Sequence, residues 1–320
     1  MALSPVFRQL FEAIQHANRI LVIGDGRPDG DSVGSSTALV TWLLDLKKDV
    51  HTFCALPVSG TFGYLDNAYR FTTDPTVFEH AYDLIIICDA GDLKHGGIQD
   101  HLPRTPKGFT LVNIDHHATN ARYGDMNVVF PEASSTCEVV YRFFEANNIP
   151  VDDRMATSLL AGILTDTGTF SNPATNAYAM DIAGKLIARG ARYQEIIRRA
   201  FKNKSTDILR LWGLALARLQ YNPTYDIATT YFFRNDYAAL GEEAAEGVSN
   251  FLNAVCGSAD TILVLRETGD GMVKGSLRSI KRDISKLANL LGGGGHKKAA
   301  GFTIPGRLVE KDGRVMVVGA

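Results

Sequence analysis

The chain is expected to be an α/β protein, with an N-terminal, mainly parallel sheet flanked by helices and a smaller α+β domain after it. Three observations predict this. Apolar runs alternate with helix-like stretches through the first half, the order that builds a parallel sheet covered on both faces. One of them, Asp83-Leu84-Ile85-Ile86-Ile87-Cys88, is apolar throughout after its first residue, as a strand buried on both faces must be. Beyond about residue 185 the pattern changes to a basic helical stretch and then to alternating strand-like segments. The expected division is 1–188 for the first domain, 189–220 for a helical linker and 221–320 for the second.

In order, Val6, Leu10 and Ile14 predict an amphipathic helix over 5–18, followed by a strand over 19–24. An acidic loop follows, Asp25-Gly26-Arg27-Pro28-Asp29-Gly30-Asp31-Ser32-Val33-Gly34. Its place after a β-branched run puts it at the C-terminal edge of a parallel strand, where open α/β sheets hold ligands. Extended backbone would point Asp29 and Asp31 the same way, and carboxylates held so close need a cation or a proton between them. Alone, the loop reads equally as a solvated turn with Ser32 capping a helix over 35–47. Strands are expected at 49–54, 83–88 and 109–114. The last two end in Asp89 and in Asp115-His116-His117. Ser135 or Thr136 caps a helix to about Asn147, and a second helix runs from near Asp152 to Asp166. The stretch 192–219 reads as helix, with Arg192, Arg198, Arg199, Lys202 and Lys204 at its start. Strands follow at 226–233, 261–266 and 272–278, then a helix over 284–291 and the run Gly292-Gly293-Gly294-Gly295-His296-Lys297-Lys298.

Composition narrows the function. With 320 residues, 45% of them hydrophobic and 21% charged, the chain suits a soluble globular protein with a sizeable core. A net charge of -2 gives no general pull on nucleic acid, so long duplex DNA is not an expected partner. The four cysteines form no CxxC pair, which argues against a zinc site or a disulfide framework and for a reducing cytoplasm. No cleavable leader is visible at the N-terminus, and no apolar run approaches the roughly 20 residues that span a bilayer.

Four segments carry acids or histidines at the ends of predicted elements: Asp25/Asp29/Asp31, Asp89 with Asp92, Asp115-His116-His117, and Asp166. Strand ends that face one sheet edge would bring these groups into one crevice. Carboxylates mixed with imidazoles suit manganese or magnesium. No serine or cysteine has a partner that would make it a nucleophile.

These segments, taken with LTDTG around Asp166 and the late GGGGHKKAAG, resemble the DHH phosphoesterase superfamily over nearly the whole chain. The subgroup with the greatest likeness is that of the two-domain oligoribonucleases and pAp phosphatases. The resemblance implies a phosphohydrolase with two divalent cations, Mn2+ or Mg2+, acting on short RNA oligonucleotides, linear dinucleotides or pAp. Asp29 would bind the first metal, Asp31, His116 and Asp166 the second, and Asp89 both. His117 would face the substrate phosphate and Asp115 would orient the histidine pair. Arg278 in GSLRS, with Gly294, Gly295 and His296, would hold the substrate. The two cations, roughly 3.5–4 Å apart, would share and acidify a water that attacks the phosphoryl group. The family has histidine where this chain has Asp25, and aspartate remains a competent hard ligand for the first metal. A pyrophosphatase or polyphosphatase and a nucleotide-binding regulatory protein weakened at Asp25 are the alternatives. The sequence leaves a homodimer open.

Overall fold

The computed structural model describes residues 5–201, 204–311 and 314–319. The chain divides into two compact units, Met1–Asn203 and Lys204–Ala320. No helix among the described residues is long and apolar enough to cross a membrane.

The first unit runs α1 (Pro5–His16), β1 (Arg19–Ile23), α2 (Gly30–Asp45), β2 (Asp49–Phe53), β3 (Leu84–Cys88), β4 (Thr110–Asp115), β5 (Met126–Val129), α3 (Thr136–Ala146), α4 (Asp153–Asp166), α5 (Ala177–Ala188) and α6 (Tyr193–Ile196). Its five strands pair in parallel in the order β2-β1-β3-β4-β5. The chain leaves β1 toward one edge and returns on its other side, which makes the β1/β3 boundary the topological switch point where such sheets open a crevice. Alternate strand residues feed two cores. Ile20, Val22, Leu84 and Ile86 pack with the helices, whereas Leu21, Ile23, Ile85 and Ile87 pack with Phe53, Phe78, Tyr82 and Ile98.

Helix α2 is buried from Gly30 to Leu43, and α4 lies hard against it. Small residues permit the approach: a Cβ on Gly34 would sit 2.4 Å from the Ser158 carbonyl oxygen, and one on Gly162 would sit 2.2 Å from Cys137 Sγ. The expected helix start at Ser35 is corrected to Gly30. Asp29, not Ser32, is the cap, its carboxylate accepting from Asp31 N at 2.9 Å and Ser32 N at 3.0 Å. Ser32 Oγ instead accepts from Asp25 N at 2.7 Å. Asp29 and Asp31 are therefore not neighbours on an extended strand; one caps α2 and the other stands in its first turn. Strand β5 and helix α5 carry no expectation from the sequence, and the helix expected over 192–219 is interrupted. After α6 the backbone makes a π-helical turn over Ile197–Phe201, and a new helix, α7 (Thr206–Ala217), starts on the Ser205 cap.

The second unit continues with β6 (Gln220–Asn222), β7 (Ile227–Phe232), α8 (Arg234–Tyr237), α9 (Val248–Val255), β8 (Thr261–Glu267), β9 (Met272–Ser279), α10 (Ser285–Leu290), β10 (Gly294–His296), β11 (Ala299–Pro305), β12 (Arg307–Lys311) and β13 (Arg314–Val318). Six strands form one sheet in the order β10-β11-β9-β8-β7-β6, with only β7 and β8 parallel, and β12 pairs with β13. Gly292, at φ 74°, follows the end of α10, and Gly294 and Gly295 pair with Gly301 and Ala300 as an edge strand. Gly293 admits no side chain, since its Cβ would lie 2.1 Å from the Gly301 carbonyl oxygen.

Candidate metal centre

Strand register assembles the site. Ile23 pairs with Ile87 and Cys88 with Ile114, so the segments that leave β1, β3 and β4 bring Asp25, Asp89 and Asp115 level at one sheet edge. The first turn of α2 delivers Asp31 to this edge, and the last residue of α4 delivers Asp166. Two groups of side chains result, Asp89/Asp115/His116/His117 and Asp31/His116/Asp166, each with its oxygen or nitrogen atoms within 4.8 Å of one another. His116 belongs to both. Its Nε2 lies 3.4 Å from Asp166 Oδ2 and 3.9 Å from both Asp31 Oδ2 and Asp89 Oδ1. The two longer separations exceed hydrogen-bond range.

The ring of His116 is oriented from behind. Nδ1 is 3.2 Å from the Ala133 carbonyl oxygen, which can only accept, so Nδ1 carries a proton and Nε2 is the atom turned to the carboxylates. Asp115 is buried and its oxygens are committed. Oδ1 accepts from His117 Nδ1 at 2.7 Å and from the amides of His116 and His117, and Oδ2 accepts from Asn120 Nδ2 at 2.5 Å. Burial alone would raise its pKa, but the bonds and charge of His117 overcome this and hold it below the ordinary value. The same bond to Asp115 pushes His117 up to about 9.

Asp31 is tied to the start of α3, its two oxygens accepting from Thr136 N at 2.6 Å and Cys137 N at 2.9 Å. Carboxylate and helix N-terminus are electrostatically matched there. Thr136 Oγ1 donates to Asp89 Oδ1 at 2.9 Å, so one threonine braces two acids. Asp89 has a φ of 66°, a left-handed conformation uncommon outside glycine. Past Asp166, Gly168, Thr169 and Phe170 also have positive φ, and Asn172 Nδ2 donates to the Asp166 carbonyl at 2.8 Å. Strained backbone of this kind persists only where surrounding contacts over-determine it, and it gathers at functional sites.

Burial, and then the charges of Asp31 and Asp29, push the pKa values of Asp89 and Asp166 well above the ordinary value. Carboxylates so placed call for protons or cations. The donor set, oxygens with one imidazole lone pair and no thiolate, fits a hard or borderline divalent cation.

Asp25 and Asp29 stand beside these groups rather than in them. Asp25 Oδ1 accepts from Arg27 N at 2.8 Å, and burial raises the pKa despite that bond. Asp29 is exposed as a residue, yet its carboxylate turns under the start of α2, where burial and then Asp31 push it up. Asp92 turns aside to His95, 2.7 Å from Nδ1.

In the second unit Arg278 projects from β9 into a cavity of about 300 Å³ that Asn250, Ser249, Lys274 and Arg266 also line. Its Nε donates to Asn250 Oδ1 at 2.6 Å and its Nη1 to the Leu277 carbonyl, and burial lowers its pKa. Among the described residues no carboxylate pairs with it. The backbone of Gly294, Gly295 and His296 forms the edge strand; the side chain of His296 lies outside the described residues. Sequence reading missed Ala133, Thr136, Asn120 and Asn250. Only Thr136 left a trace there, as a candidate cap.

Residues 19–163 match the DHH family, N-terminal domain, and residues 234–313 match the DHHA1 domain. The chain is similar to the bifunctional oligoribonuclease and PAP phosphatase NrnA of Thermus thermophilus, 29% identical over 281 residues that cover 87% of this chain and 82% of that protein. A probable manganese-dependent inorganic pyrophosphatase of Streptococcus agalactiae is 29% identical over 181 residues, 53% of this chain and 55% of that protein. In fold it resembles the crystal structure of an exopolyphosphatase-related protein from Bacteroides fragilis, with a TM-score of 0.84, 24% identity, and coverage of 93% of this chain and 90% of that one.

Proposed function

We propose, from the match of residues 19–163 to the DHH N-terminal domain and of residues 234–313 to the DHHA1 domain, a two-cation phosphohydrolase of the DHH type acting on short oligoribonucleotides, linear dinucleotides or pAp. The observation that carries this reading is the pair of acid and imidazole groups joined through His116. His116 Nε2, Asp31, Asp89 and Asp166 are the groups that would hold metal, with Asp25 and Asp29 beside them for a first ion. When bound, two divalent cations acidify a water and neutralise charge growing on the attacked phosphoryl oxygens; Mn2+ is the ion the reading favours, with Mg2+ next.

The chain's own residues do the rest. His117, held by Asp115 and raised to about 9 in the metal-free site, is the ring that would face a phosphate oxygen of the substrate. Asp115 fixes the orientation and charge of that ring. Arg278, half-buried and with no carboxylate paired to it among the described residues, is suited to an anionic part of the substrate, with Gly294, Gly295 and His296 as further contacts. The NrnA relative spans most of this chain, while the pyrophosphatase spans about half, which favours nucleotide substrates over bare pyrophosphate. Four free cysteines fit a reducing, cytoplasmic setting.

The test is hydrolysis of an RNA dinucleotide, pAp and pyrophosphate side by side, in manganese and in magnesium. Cleavage of the dinucleotide or pAp that Asp89→Ala and His116→Ala abolish is the expected result. Cleavage of pyrophosphate alone would transfer the chain to that branch, and binding of pAp without turnover would make it a regulatory nucleotide binder.

A further inference from the structure

Beneath the metal centre one carboxylate gathers the supports of several metal-facing groups. Glu138, in the first turn of α3, is fully buried. Its Oε2 accepts from Ser134 N at 2.8 Å and from Asn176 Nδ2 at 3.0 Å, and its Oε1 accepts from Arg142 Nη2. Each partner leads to the site. Ser134 follows Ala133, whose carbonyl fixes the His116 ring. The turn of helix that Glu138 closes includes Thr136 and Cys137, which bind Asp31 and Asp89. Asn176 caps α5 through Ala179 N at 2.7 Å and so ends the segment that starts at Asp166. The same Asn176 amide reaches the Glu132 carbonyl at 3.3 Å, and Arg142 Nη1 reaches Glu132 Oε1 at 3.1 Å.

A buried carboxylate is costly unless its oxygens are satisfied, and here they are satisfied only while the 132–138 segment and the α5 cap keep their present spacing. We infer that Glu138 is a positioning residue of the metal centre: by joining Ser134, Arg142 and Asn176 it sets the spacing between His116, Asp31 and Asp166 and thereby the affinity for divalent cation. The inference rests on the metal-centre reading above. It adds that a residue touching neither metal nor substrate decides how tightly the metal is held.

Two substitutions test it. Glu138→Gln keeps the shape and one acceptor oxygen but turns an amide N–H toward Arg142 or Asn176. Asn176→Asp keeps the cap on α5 and places a carboxylate against Glu138 in place of a donor. Metal-free protein is titrated with Mn2+ by calorimetry without substrate, its folding checked by cooperative melting, and the 15N shifts of His116 are recorded in the metal-free state. Expected are a loss of about 10-fold to 100-fold in Mn2+ affinity, the range typical when a support behind a metal ligand is removed, a changed His116 spectrum, and turnover that saturating Mn2+ restores with KM for an RNA dinucleotide unchanged. Wild-type affinity in either folded variant would overturn the inference. If Glu138→Gln does not fold, Asn176→Asp decides alone. Should the wild-type chain itself bind no Mn2+, the metal-centre reading fails first, and the two failures are thus distinguishable.

Discussion

At the scale of residues, the site is a set of charges that the fold holds in place at a cost. Asp89 and Asp166, with raised pKa values, contribute stability through their neutral forms, and this contribution is lost as pH climbs from the ordinary value of 3.8 through their raised ones. His117 acts in the same direction through its cation: its contribution is full below 6.5 and lost as pH rises through about 9. Asp115, whose pKa is lowered, works oppositely and loses its contribution on acidification below 3.8. The metal-free protein should therefore melt at a falling temperature as pH rises from 6.5 through about 9, and saturating Mn2+ should flatten that fall. A metal-free Tm that rises across the window would contradict this electrostatic account. Asp25 makes a second prediction. Its carboxylate is turned to the amide of Arg27, so Asp25→His, with an imidazole lone pair for the first ion, should raise Mn2+ affinity in a calorimetric titration. That Asp31, Asp89, Asp115, His116, His117 and Asp166 meet was legible in the sequence, because apolar runs announce strands and their ends announce the crevice, whereas Asp25 and Asp29 stand beside those groups. Their supports were not: Thr136 meets Asp31 across 105 residues of chain, and the Ala133 carbonyl has no side-chain signature at all.

At the scale of elements, the crossing of α2 and α4 decides whether Asp31 and Asp166 can share His116. A Cβ on Gly162 would stand 2.2 Å from Cys137 Sγ and 2.8 Å from Asp31 Oδ1. Gly162→Ala should then cost about 1–3 kcal/mol of stability, the usual price of overpacking, and weaken Mn2+ binding together with it; thermal melting and metal titration check the two effects. The strand order explains why so much of the first unit could be anticipated. Buried parallel strands must be uniformly apolar, and β3 is. The start of α2 misled because Asp29 and Ser32 are both good caps, and only tertiary contact, Ser32 to Asp25, settles which one acts. A sequence of glycines carries no period and announces no strand; pairing with β11 decides that Gly294–His296 is an edge strand.

At the scale of the whole molecule, the two units divide the work: one gathers acids that would hold metal, and the other keeps a half-buried guanidinium, unpaired with any carboxylate among the described residues, that would take an anion. Arg278→Ala should raise KM for an RNA dinucleotide about tenfold or more while leaving Mn2+ affinity unchanged, since a charge-assisted hydrogen bond to substrate is worth on the order of 1.5–3 kcal/mol. The most direct measurement of the central claim couples stoichiometry to chemistry. Chelator-stripped protein is equilibrated with graded Mn2+, and bound Mn2+ per chain is counted while turnover of an RNA dinucleotide and of pAp is followed. The account predicts two ions per chain, with turnover rising as the second binds and absent from His116→Ala. Full turnover in the stripped protein, or saturating Mn2+ bound without hydrolysis of either substrate, would contradict it.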